Sequence, residues 1–244
     1  MSLICGVNPV REALRAGRGI ERILIAQGAG GARVQEIIDL ARDERIPVRF
    51  EPKQFMERVA AGQAHQGVVA YVSPQKYQRF EDLEQPELVL VLDGVEDPHN
   101  LGAILRTADA VGAGGVIIPE RRAAGLSETV AKTSAGAIEH VRVMRVVNVN
   151  RALEDLKKKG YWIYGLDERG EDAHTDIVYA HPTAFVLGNE GRGLHEHTRK
   201  HCDFLIRIPM FGRISSLNVS VATGVVLFEW RRQRSLAGPE EFSV

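Results

Sequence analysis

Residues 88–94 read LVLVLDG, an uninterrupted apolar run that ends in an acid and a glycine. A strand with one wet face would alternate. This one does not, so it must be covered on both faces, as in a parallel sheet flanked by helices. The chain beyond it keeps the same rhythm. Asn100 is placed to cap a helix over 101–111 that Gly112 closes, and GVIIP (115–119) is the next strand. Further strands are expected at 141–146, 162–166, 184–187 and 204–208, and helices at 127–134, 151–159 and 217–234. Strands alternating with helices specify an open α/β sheet.

A smaller α/β pattern precedes it, with helices at 9–16, 33–43 and 53–60 and strands at 23–26, 48–50 and 67–72. Between the two, SPQKYQRFEDLEQPE (73–87) carries Pro74 and Pro86 and follows neither period, so it reads as a linker. The expected division is a domain over 1–73, a linker over 74–87 and a second domain over 88–244.

Composition narrows the function classes. No apolar run approaches the roughly 20 residues of a membrane helix, and the N-terminal stretch lacks the apolar core of a signal peptide, so a cytosolic location is expected. Cys5 and Cys202 lack CxxC spacing and read as free thiols. His195, His197 and His201 cluster on a polar stretch, and no metal is expected. The formal net charge of −1 is not that of a uniformly phosphate-binding surface. The basic excess is local. Residues 192–234 hold seven Arg and one Lys against Glu196, Asp203 and Glu229, and the first 76 residues also lean basic. Charge alone leaves RNA binding open.

Ligands of open α/β sheets sit beyond the carboxyl ends of the strands, and three segments rich in Gly, Asn and Pro fall there. In EDPHNLGAILRTADAVGAGG (96–115), Asn100 opens a helix, Gly102 permits close approach and Arg106 follows in the second turn. A helix N-terminus with a nearby Arg suits a phosphate, whereas a plain cap and a surface Arg explain the same residues. In AFVLGNEGRGL (184–194), Gly188, Gly191 and Gly193 allow close backbone approach around Glu190. The order GxxGxG is neither a dinucleotide fingerprint nor a Walker loop. In IPMFGRISSLNVSVATGVV (208–226), Ile208 and Met210 form an apolar lip, Ser216 is a candidate helix cap, and Ser220, Ala222, Thr223 and Gly224 leave one helix face without bulk. No triad pattern supports Ser216 as a nucleophile.

Together, NLGAILRTA, LGNEGRGL and IPMFGRISSLNVSVA resemble the three ordered motifs of the SpoU (TrmH-like) branch of the SPOUT methyltransferases. GVNPVREAL (6–14) and HQGVVA (65–70) resemble the substrate-binding domain of the ribosomal-RNA members, and KTSAGAIEHV (132–141) fits the guanosine-modifying group. Phe211 and Ser215 stand where other members often carry polar or acidic residues. The resemblance implies a parallel α/β domain with a C-terminal trefoil knot, a small N-terminal domain like ribosomal protein L30e, and a homodimer packed around the knot through the small-faced C-terminal helix. It implies S-adenosylmethionine as cofactor, held by Leu187, Gly188, Asn189, Gly191, Ile208, Met210, Leu217, Asn218 and Ser220. It implies methylation of a ribose 2′-hydroxyl, with Asn100, Arg106, Glu190, Ser216 and Asn218 as catalytic residues. The implied substrate is a guanosine of large-subunit (23S) ribosomal RNA, free or in an assembling particle, with transfer RNA as the runner-up.

The family proposes Arg106 as the base. A guanidinium in a protein stays protonated, so orienting the hydroxyl and a phosphate is the more economical role. Two readings from other classes stand beside this one. A ribosome-assembly factor that binds RNA without chemistry would not need Asn100, Arg106, Glu190 and Asn218 intact. A nucleotide-dependent oxidoreductase would need GxGxxG after its first strand.

Overall fold

The computed structural model describes residues 2–73, 76–189, 191 and 193–236. They form two compact units. One comprises the N-terminal residues to Lys76 together with Gly125–His140; the other comprises Tyr77–Ala124 and the chain from Val141 on.

The second unit holds the long apolar strand. That strand is β5 (Leu88–Asp93), and all six of its residues are buried. Its neighbours are β6 (Gly115–Pro119), β7 (Val143–Val146), β8 (Trp162–Leu166), β9 (Asp172–Ala173), β10 (Thr183–Gly188) and β11 (Phe204–Arg207). They are ordered β7-β6-β5-β10-β8-β11-β9, and every pair is parallel. One face packs Val89, Val91, Ala184 and Val186 against Leu153 and Leu156 of α6 (Val149–Lys158). Two helices that pack on each other, α4 (Pro98–Val111) and α8 (Val219–Leu236), belong to the other layer. Buried Trp230 fastens α8 there, its indole N–H donating to Thr183 Oγ1 at 3.0 Å. The expected two-sided burial of 88–94 therefore holds, and a sequence reading that finds most strands misses only short β9 and short α7 (Glu196–Lys200) in this unit.

The first unit has the mixed sheet β1-β4-β2-β3, made of β1 (Ser2–Cys5), β2 (Ile20–Ala26), β3 (Val48–Glu51) and β4 (Val68–Val72). Strand β1, which the periodicity does not reveal, pairs antiparallel with β4. Helices α1 (Val7–Arg15) and α2 (Ala32–Asp43) supply Val10, Ala13, Leu14, Val34 and Ile37 to one face, and α3 (Lys53–Val59) supplies Met56 to the other.

Two boundaries differ from the sequence reading. Residues 77–87 are not a free linker, because Leu83 and Phe80 pack into the second unit's core and Gln78 bridges Met144. Apolar residues spaced too widely for either period still anchor a segment. Conversely, Gly125–His140 leaves the parallel-sheet unit and packs with the first. It carries α5 (Glu128–Thr133), the helix expected over 127–134, which Ser127 caps by accepting from Val130 N–H. Arg18 and Glu139 form a buried ion pair at 2.5 Å, and Leu3 N–H donates to Glu128. A Cβ on Gly136 would lie 2.6 Å from that of Glu12, so only glycine admits α1 at this distance.

Both cysteines are free. Burial pushes the Cys5 thiol up to about 11 and the Cys202 thiol up to about 12. A thiolate is the reactive species, so both should resist iodoacetamide at pH 8 in the native protein and react fully in denaturant. Rapid native alkylation at either position, read by mass spectrometry, would contradict this burial.

Candidate active site

A pocket of about 550 Å³ opens where β8, β10 and β11 end. It lies at the point where the strand order turns back, with β10 between β5 and β8, which is where ligands of such sheets bind. Its wall comes from Leu166–Arg169 at and after the end of β8, Leu187, Gly188, Asn189, Gly191 and Gly193 at and after the end of β10, Ile208 and Met210 after β11, and Ser215, Ser216, Leu217, Val219 and Ala222 leading into and along α8.

The loop after β10 is built by backbone. Asn189 and Gly193 exchange N–H to carbonyl bonds of 3.1 and 2.9 Å, closing a tight hairpin. Asn189 then serves twice: its Nδ2 donates to the Gly94 carbonyl at 2.8 Å, and its Oδ1 accepts from Gly191 N–H at 2.9 Å. A Cβ on Gly188 would stand 2.2 Å from the Gly193 carbonyl carbon, so this approach requires glycine. Gly193 itself has φ +66°. Buried Asp93 ties the far end of the loop to β5, accepting from His195 N–H at 2.9 Å and facing His195 Nδ1 at 3.0 Å.

The other two motifs meet each other. Asn100 does not cap α4: the cap is Asp97, whose carboxylate accepts from His99 N–H, with Pro98 in the first turn, where its missing N–H costs nothing. The helix thus starts three residues earlier than the sequence suggests. That places Asn100 inside the first turn, buried, with Oδ1 accepting from Asn218 Nδ2 at 3.0 Å. Nor does Ser216 cap α8. Asn218 does, its Oδ1 accepting from Ser220 N–H at 2.9 Å and Val221 N–H at 3.4 Å. One asparagine therefore starts α8 and clasps α4.

Of the residues singled out from sequence, Leu187, Gly188, Asn189, Gly191, Ile208, Met210, Ser216 and Leu217 share the pocket wall. Asn218 and Ser220 continue from it, and Asn100 joins through Asn218. Arg106 stands apart. It is exposed on α4, about 120° around the helix from Asn100, and makes no ion pair among the described residues. Glu190 lies outside the described residues. Sequence reasoning missed Asp167, Glu168 and Arg169. Asp167 is buried, accepts from Arg169 N–H at 3.0 Å and pairs with Arg199 Nε at 3.3 Å, bracing this wall against α7. The signal was present: GLDERG (165–170) ends a strand in acid and glycine, like LDG at 92–94.

The donor set fits a nucleoside with a charged tail. Ile208, Met210 and Leu217 supply an apolar lip, the glycine hairpin supplies backbone groups with no side chain in the way, and Glu168 and Arg169 supply both signs of charge at the rim.

A family model described as the SpoU rRNA methylase family matches residues 87–228, and one described as RNA 2′-O ribose methyltransferase substrate binding matches residues 3–78. The chain belongs to the SpoU rRNA methylase family. It is an S-adenosylmethionine-dependent RNA 2′-O-ribose methyltransferase, as the three motifs implied. Over 243 residues it is 42% identical to the TrmH-family tRNA/rRNA methyltransferase YacO of Bacillus subtilis, covering 96% of this chain and 97% of the relative. The SpoU methyltransferase AviRb of Streptomyces viridochromogenes superposes with a TM-score of 0.83 at 26% identity, covering 97% of this chain and 90% of AviRb. The AviRb complex with the cofactor AdoMet gives a TM-score of 0.79 at 28% identity, with 96% and 90% covered.

For this SpoU methylase, Gly188→Ala should weaken S-adenosylmethionine binding by about tenfold or more, a cost of about 1.4 kcal/mol. Gly191→Ala, where a Cβ would meet only Asn189 Oδ1 at 3.7 Å, should leave it within about threefold. Calorimetric titration of the two variants distinguishes them, and equal losses would remove the hairpin's close approach as the cause.

Proposed function

We propose that this enzyme methylates the ribose 2′-hydroxyl of a guanosine in large-subunit (23S) ribosomal RNA, working as a homodimer. The observation that carries the reading is the joining of three separate motifs around one pocket through the Asn100–Asn218 bond. The substrate class is supported by the N-terminal unit, by the rRNA members among similar structures and by KTSAGAIEHV. The curated relatives are named for both tRNA and rRNA, which keeps transfer RNA as the second reading.

Leu187, Gly188, Asn189, Gly191, Ile208, Met210 and Leu217 would hold the cofactor, with Asn218 and Ser220 at its edge. Bound there, S-adenosylmethionine supplies a methyl group already made electrophilic by a sulfonium. The chain's own task is alignment, because a 2′-hydroxyl must be held in line with that methyl group. Asn100 and Asn218 form a rigid pair whose remaining amide groups position the ribose, and Ser216 adds a hydroxyl from the pocket wall. Arg106, exposed and free of any carboxylate among the described residues, orients the hydroxyl and binds an adjoining phosphate through its guanidinium fork. Glu190, which the motif assigns to catalysis, completes the set. The segment from β11 into α8 is read as threading a trefoil knot, supported by its crowding of one pocket with the β10 hairpin.

The dimer reading needs one revision. The small residues Ala222 and Thr223 are buried, whereas Val221, Val225 and Phe228 are exposed at i, i+4 and i+7. Ile214 and Phe211 are exposed as well. The interface is therefore assigned to this apolar stripe of α8. Phe228→Glu should shift the protein to monomers in analytical ultracentrifugation; an unchanged sedimentation coefficient would place the interface elsewhere.

The decisive assay uses labelled S-adenosylmethionine with unmodified ribosomal and transfer RNA, followed by nucleoside digestion. Labelled 2′-O-methylguanosine in large-subunit RNA is expected. Label in transfer RNA alone would overturn the substrate, and label in neither would overturn both substrate readings. Arg106→Lys should lose most of kcat while keeping cofactor affinity; near-normal turnover would show that charge suffices without the guanidinium fork.

A further inference from the structure

The two faces of the first unit's sheet are covered unequally. One packs Ile4, Ile23, Ile25, Val68 and Ala70 beneath α1 and α2. The other packs Cys5, Leu24, Ala26 and Val69 beneath Met56 and Ala60 at α3. With seven residues, α3 is too short to roof the whole face. Side chains two apart on a strand share a face, so the strand register shows what lies beyond it. Tyr71 stands opposite Arg22, and Arg49 stands opposite Leu24 one strand further out. These three residues therefore share the face that α3 leaves partly open.

The arginines there are arranged in an unusual way. The Arg22 guanidinium lies over the Tyr71 ring, 4.1 Å from its centroid, and Arg58 of α3 lies over Phe55 at 5.8 Å. Tyr71 and Phe55 both rest, half-buried, on the same apolar cluster. None of Arg22, Arg49 and Arg58 forms an ion pair among the described residues. Several acids of this unit pair with other cations: Glu12 with Arg11, Arg15 and His140, Asp39 with Arg42, and Glu139 with Arg18. Glu51 also belongs to this face, opposite Ala26, four residues along β2 from Arg22.

We propose that this face is a platform for unpaired RNA. A base stacks on the Arg22–Tyr71 pair, and Arg49 and Arg58 take the neighbouring phosphates. Planar groups backed by aromatic rings recognise bases only when their faces are open, and arginines without an ion pair among the described residues beside them can take the phosphates of a strand. A duplex hides its base faces, so it would gain only the phosphate contacts. The inference rests on the reading of the first unit as the RNA-binding one, and names the surface and the RNA conformation that reading leaves open.

The test uses the full chain and an unstructured oligoribonucleotide of about a dozen residues, with a duplex of the same length as comparison. Arg22→Ala/Arg49→Ala should weaken the single strand by about tenfold or more in fluorescence anisotropy. The salt slope for the single strand should fall by about 0.7, for the one phosphate contact that Arg49 makes. Duplex affinity should change less, and cofactor binding not at all. Unchanged single-strand affinity would overturn the platform. Photocrosslinking of a 4-thiouridine oligonucleotide to the wild-type protein separates the two layers of the argument. Crosslinks on peptides holding Tyr71 or Phe55 support the platform. Crosslinks elsewhere in residues 2–73 overturn it while keeping RNA on the first unit, and crosslinks confined to the second unit overturn both.

Discussion

The pocket depends on one close approach of backbone to backbone. At the end of β10, the Gly188 Cα comes so near the Gly193 carbonyl that no side chain fits between them. Beside this close approach Asn189 and Gly193 bond to each other through their backbones, and Asn189 is fixed to Gly94 just after β5. Every other part of the pocket is arranged against that hairpin. Asp167 braces the opposite wall, and the residues after β11 close the third side. The sheet explains why they can meet: in a parallel array all carboxyl ends emerge at one edge, and inserting β10 between β5 and β8 brings distant chain segments side by side there.

The second organising contact joins helices rather than strands. Asn218 supplies the oxygen that starts α8 and the amide that holds Asn100 in α4. A residue that both caps a helix and bonds a second helix couples the pocket wall to the segment carrying Arg106. On α8, Ala222, Thr223, Val226, Leu227 and Trp230 are buried, whereas Val221, Val225 and Phe228 are exposed.

The excursion of Gly125–His140 into the first unit has a similar logic. A segment between two strands of the parallel sheet is held by a buried Arg18–Glu139 pair, with burial raising the carboxyl's pKa despite the guanidinium beside it. A buried pair is costly to break by removing one partner alone. Residues 132–140 thus lie in the same compact unit as the residues that match the substrate-binding model.

Much was legible in the sequence because it is local. The unbroken apolar run at 88–94 demanded a two-sided cover, glycines after strands marked the turns, and three motifs named the family. Short elements such as β1, β9 and α7 were not legible, since too few residues repeat for a period to show. Asn100 and Asp97 satisfy the same local rule for the cap of α4; Asp97 takes it by accepting from His99 N–H, and Asn100 instead bonds Asn218, 118 residues away. The same holds for Asp167, which looks like any acid in a turn until Arg199 and the pocket are seen around it. Residue type and spacing fixed which segments could carry chemistry. Strand order and helix packing decided which of those residues touch, because contacts between segments far apart in the chain leave no periodic trace within either one.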